Sequence, residues 1–149
     1  MHDALLAYLH YLTLLAAFSL LVAELAVLRL PHQPGRWRSL SLLDLGYFLA
    51  AIGILATGLS RVFYGLKPAL YYWHNPYFHA LWVTFLFIGL ASIIPTLSFM
   101  KWAKAERNQP GYTPPPKALR HVQGHLVLEI ALFAIAPIFA VLMARGYGM

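Results

Sequence analysis

Few residues in this chain can do chemistry, and most of those stand inside apolar sequence. His10, Arg61 and His79 form one set; Glu24, Asp44, His125 and Glu129, with His121 beside them, form another. Ionisable groups within a membrane span are costly, and by default they mark binding, redox or proton-relay sites. The first set suits a b-type haem: neutral imidazoles from two helices clamp the iron, and a cation near the surface pairs with the propionates. His10 and His79 are then the axial ligands and Arg61 the propionate partner. The chain has no cysteine. That excludes disulfides, thiolate metal sites, iron–sulfur clusters and covalently attached c-type haem, and it leaves bis-histidine ligation as the natural option. The plainer roles for these histidines are hydrogen bonding to a neighbouring helix, proton handling, or a place in the interface.

The second set lies deeper. Glu24 follows His10 by about four helical turns, so the two share a face, with Thr13 and Ala17 between them. His121, His125 and Glu129 recur at i, i+4 and i+8 on one face of a later helix. Three carboxylates and a histidine at one depth bind a cation, or hold and pass a proton. The plainer alternative pairs Glu24 and Asp44 with Arg29 or Arg120 near the head groups.

The elements that position these groups follow from composition. Of 149 residues, 60% are hydrophobic, 15% aromatic and 11% charged, against about 25% charged in a soluble domain. Polar side chains are too few to cover a water-facing surface, which excludes a soluble globule. Apolar runs cover about 4–28, 41–60, 77–100 and 122–144. At 1.5 Å rise per residue, about 20 residues cross a ~30 Å hydrocarbon layer. Barrel strands are half as long and alternate polar with apolar. The expectation is an all-α, four-helix transmembrane bundle, a single integral membrane domain over 1–149.

Breakers mark the joints. Pro31 and Pro34-Gly35 end the first span, and Asn75-Pro76 caps and opens the third. The segment from Asn108 to Pro116 should run extended over the membrane surface. Pro95 and Pro137 lie inside the third and fourth spans, where kinks are expected. The N-terminus lacks the basic flank of a signal peptide and is expected to be retained.

The net charge of +6 sits between the apolar runs, where it meets anionic lipid head groups rather than nucleic acid. Arg29, Arg36 and Arg38 fall in the first loop, and Lys101, Lys104, Arg107, Lys117 and Arg120 in the third. The opposite side carries Arg61, Lys67 and Arg145. The positive-inside rule places loops one and three in the cytoplasm, with both termini on the outer, periplasmic side of a bacterial inner membrane. His10 and His79 then lie about 9 Å and 5 Å deep from that outer face.

Gly46, Ala50, Gly53 and Thr57 line one side of the second span. Such a stripe admits close helix packing or leaves room for a flat ring. The rings of loop two, Phe63, Tyr64, Tyr71, Tyr72, Trp73 and Tyr77, read as an interfacial belt, and Trp82 and Trp102 the same way. The other reading of the loop is a lid over a haem edge or quinone mouth.

Several motifs carry a resemblance over nearly the whole chain. They are His10, Ala23-Glu24-Leu25, Leu43-Asp44-Leu45, Gly58-Leu-Ser-Arg61-Val-Phe, Tyr72-Trp-His-Asn-Pro-Tyr-Phe-His79-Ala, Pro95-Thr96, Glu129 and Met143-Ala-Arg-Gly146. With these the chain resembles a bacterial membrane-protein family known as domain of unknown function 2214, which implies no activity. More distantly it is similar to the HemJ-type protoporphyrinogen oxidases, helical membrane proteins that bind b-type haem. His10 and Phe78-His79-Ala80 look like that family's paired histidine positions. Leu81 stands where its His-x-Lys element has lysine, so the resemblance implies haem without establishing the reaction.

The expected function is that of a membrane haem b protein, with the haem between the first and third spans. It would transfer electrons or act on a quinone or porphyrin, while the inner carboxylates move the accompanying protons. Two alternatives stand beside it. One is a proton-coupled small carrier or channel using Glu24, Asp44 and Glu129. The other is an accessory subunit of a larger membrane complex, or a homo-oligomer, with the small-residue stripe facing another chain.

Overall fold

The computed structural model describes residues 2–31 and 33–149, with the side chain of His2 left out; Met1 and His32 lie outside the described residues. Five helices follow one another: α1 (His2–Arg29), α2 (Arg36–Tyr64), α3 (Ala69–Trp73), α4 (Pro76–Asn108) and α5 (Pro116–Ala144). Among the described residues there is no strand. All but α3 are long and apolar enough to cross a bilayer. Their outward residues, Leu15, Phe48, Leu97 and Ile138 among them, are exposed. Lipid is the solvent that suits such faces, because a helix satisfies its own backbone there.

Each helix runs past its apolar run. α4 continues about two turns beyond Met100, through Lys101, Lys104, Glu106 and Arg107. α5 starts at Pro116 rather than near residue 122. The apolar run measures the hydrocarbon alone, whereas the helix goes on into the head groups, where charged side chains are solvated. The proline run does not hold α5 off. Pro115 is extended (φ −56°, ψ 141°), and Pro116 takes the first helical position, where a missing N–H costs nothing. Asn75 caps α4 as expected, its side-chain oxygen accepting from the Tyr77 N–H at 2.9 Å. α4 and α5 remain helical through Pro95 and Pro137. The short α3, within the aromatic loop, is an element the apolar pattern does not announce.

α1 packs on α2 and α5, and α4 packs on the same two; α1 and α4 stand diagonally, as do α2 and α5. Chain neighbours are therefore spatial neighbours, the arrangement of an up-and-down bundle.

The small-residue stripe of α2 is used inside the chain. Gly46 faces Leu20, Gly53 faces Thr13 and Gly58 faces His10, all on α1. Close packing on α1 thus uses the glycines of the stripe. Gly53 has the least room: a Cβ there would stand 2.8 Å from Thr13 Cγ2.

Aromatic packing closes the end that holds loops one and three. Trp37 is fully buried, its ring edge-on to Trp102 at 5.0 Å and under the Arg36 guanidinium at 4.1 Å. Its indole N–H donates to Tyr112 O at 3.0 Å. Trp102 is thus core, not belt. At the other end Phe63, Tyr64, Trp73 and Trp82 are exposed, as a belt requires. Tyr71 differs from them: its hydroxyl donates to Met143 O. Asn75 donates to Tyr147 O at 2.9 Å, so loop two and the C-terminal residues are tied together.

Gly53→Ala should destabilise the protein by about 1–3 kcal/mol, the usual cost of overpacking. Thr13→Ser in the same chain removes the clashing methyl and should recover most of that loss. Thermal unfolding of the two single variants and the double variant in detergent reads the coupling.

Candidate functional site

Each of the four spanning helices sends at least one polar group to the bundle interior. Glu24 comes from α1, Asp44 and Tyr47 from α2, Thr96 from α4 and Glu129 from α5. Glu24 and Glu129 are 1% and 0% exposed, and Asp44 and Tyr47 are 5% each. The Tyr47 hydroxyl donates to Glu129 Oε2 at 3.2 Å, across the diagonal. The Thr96 hydroxyl donates to Asp44 Oδ1 at 2.8 Å. Glu24 lies within electrostatic range of Asp44 and Glu129. Among the described residues, Glu24 Oε1 and Glu129 Oε1 have no hydrogen-bond partner.

The expected plainer role, pairing with arginine, is not what these carboxyls do. Arg29 and Arg120 are exposed. Asp44 takes a threonine hydroxyl instead, and Glu24 keeps one enclosed oxygen unpartnered. An enclosed polar atom left in that state costs about 1–3 kcal/mol. Burial without a counter-charge leaves a carboxylate two ways to be neutralised, by a cation or by a proton. Among the described residues no three His, Asp or Glu side chains converge closely enough to hold a metal ion. The arrangement suits a proton better.

His125 belongs at the edge of this cluster. It is half-buried, its Nδ1 is enclosed without a partner, and its ring meets that of exposed His121 at 4.9 Å. Tyr47 was missed by the sequence reading, which looked for carboxylates and histidines alone. Its signal is the i+3 spacing from Asp44, which puts both on one face of α2. Thr96 stands in a motif of the resemblance but carries no chemical signal by itself.

The three residues assigned to haem are not all brought together. His10 is half-buried against α2, its Nδ1 2.9 Å from Thr57 Oγ1. That hydroxyl also bonds back to its own helix, at Gly53 O (2.6 Å). Arg61 is close enough for its charge to act on His10, as expected. His79 stands elsewhere: it is exposed on α4, the helix diagonal to α1, with Nε2 donating to Trp73 O at 3.0 Å. His79 Nε2 is thus engaged by a loop carbonyl, on a helix that does not pack on α1.

The sequence matches, over residues 2–148, the family described as predicted membrane protein (DUF2214). The chain belongs to that family. No curated protein and no solved structure matches it. A member of this family with four helices long and apolar enough to span a bilayer is a multi-pass membrane protein.

Purified protein supplied with haem is expected to show no low-spin spectrum, oxidised or dithionite-reduced. A sharp Soret band with α and β bands, lost in both His10→Ala and His79→Ala, would contradict the placement described above.

Proposed function

We propose that this protein handles protons within the membrane, as a small proton-coupled carrier or channel whose working groups are Glu24, Asp44 and Glu129. The observation that carries this reading is the pair of enclosed, unpartnered carboxyl oxygens on Glu24 and Glu129. They sit at the axis where all four spanning helices meet. A purely structural polar core satisfies its members, because half-satisfied networks are worse than apolar packing. Intramembrane carboxyls that face a bundle interior serve as proton relays in pumps and transporters. Tyr47 holds one oxygen of Glu129 and leaves the other free to take and release a proton. Thr96 does the same for Asp44 at one oxygen.

In this reading the excess of basic residues on loops one and three keeps those loops in the cytoplasm of a bacterial inner membrane. The carboxyls are then nearer the cytoplasmic end, and His10 and Arg61 nearer the outer one. Haem ligation by His10 and His79 together would require His79 to give up its bond to Trp73 O.

Infrared difference spectra of the protein in lipid vesicles, taken across a pH titration, test the proposal. The wild type should show a carboxylic-acid C=O band that comes and goes with pH. Glu129→Gln should remove it or cut it by about half, and Glu24→Gln should shift its midpoint, as coupled sites require. The reading fails if no such band titrates, or if both variants leave it unchanged.

A further inference from the structure

The carboxyl cluster needs a route to water, and its two ends differ. Towards loop two, the next turns of the surrounding helices present Ala17, Leu21, Ile54 and Phe133, all buried. The Phe133 ring also meets Phe18 at 6.0 Å. Among the described residues of α1, nothing polar lies on this face until Thr13 and His10; on α4 the Ser92 and Thr84 hydroxyls are spent on their own helix, at Gly89 O and Ala80 O. That side is sealed largely by apolar side chains.

Towards loops one and three, α5 behaves differently. His121, His125 and Glu129 share one face, a turn of about 6 Å apart. Their exposure falls inward, from exposed through half-buried to fully buried. The two imidazoles are in ring contact at 4.9 Å. His125 Nδ1 and Glu129 Oε1 are each enclosed and unpartnered. Most of the other described charged groups at this end are exposed. Arg36 is buried, but its guanidinium lies over Trp37 and donates to Leu30 O, and half-buried Glu106 accepts from the Gly35 N–H; both are held by loop one. The histidine pair leads inward to Glu129.

Resting on the proton-handling reading, we propose that His121 and His125 are the water-side port of the cluster. They pass protons between the aqueous face at loop three and Glu129. Imidazole suits the task because one nitrogen accepts a proton while the other releases one, without net change in the ring. A proton taken from water at His121 moves to His125. From there it reaches the free oxygen of Glu129, directly or through one water, as positioned proton transfers do. Each return step reverses the transfer, so protons balance and no electron moves.

The test is the rate at which the Glu129 carboxylic-acid band shifts after vesicles are flushed with deuterated buffer. In His125→Ala the exchange should slow by about tenfold or more, and free imidazole in the buffer should restore much of it. His121→Ala should slow it less. His125→Gln, close in size and polarity, should be as slow as His125→Ala yet fold like the wild type, which separates proton transfer from packing. Exchange at the wild-type rate in both His125 variants, with the band itself intact, would overturn the port and leave the proton-handling reading standing. Absence of any titrating carboxyl band would overturn both.

Discussion

The hydrogen bond from Tyr47 to Glu129 joins two diagonal helices whose backbones do not pack on each other. Much of the structure can be understood from what that contact demands. A tyrosine of α2 must reach the bundle axis, and a carboxyl of α5 must meet it there. For both to fit, α1 has to lie close along α2, and the glycines at 46, 53 and 58 allow it. The same close seam puts Glu24 beside the other two carboxyls. Because lipid gives helices no hydrophobic reason to associate, close packing and interior polar contacts carry the assembly.

Those polar contacts are incomplete. Two enclosed carboxyl oxygens lack partners, a cost that an apolar core would avoid. The end at loops one and three is firmly built, with Trp37, Trp102 and Phe99 stacked edge to face and Trp37 fastened to Tyr112. The end at loop two is fastened too, by Asn75 and Tyr71 to the last residues. Rigid ends around an unsatisfied centre suit the proton exchange proposed for it. Such strain is found where function requires it.

The four spans, the Asn75 cap and the burial of Glu24, Asp44 and Glu129 were legible in the sequence. Length and apolarity decide the first, and helical spacing the last. The helix ends at 108 and 116 were not, because hydropathy stops at the hydrocarbon boundary and the helix does not. The stripe from Gly46 to Thr57 was legible as a close approach, but its partner was not. Depth, which sequence gives, is not direction: His10 turns to Thr57 on α2, whereas His79, on a helix diagonal to α1, bonds a loop carbonyl. Tyr47 escaped notice because a tyrosine in an aromatic-rich membrane chain carries no signal until its neighbour is known.

In the proposed mechanism the carboxyl cluster is open to water from one side and sealed by apolar packing from the other. The chain has no cysteine, so single cysteines report access without background. In vesicles of known orientation, a membrane-impermeant thiol reagent should label His125→Cys only from the face of loops one and three. Ala17→Cys should resist it from both faces. Labelling of position 17, or labelling of position 125 from the loop-two face, would contradict the account.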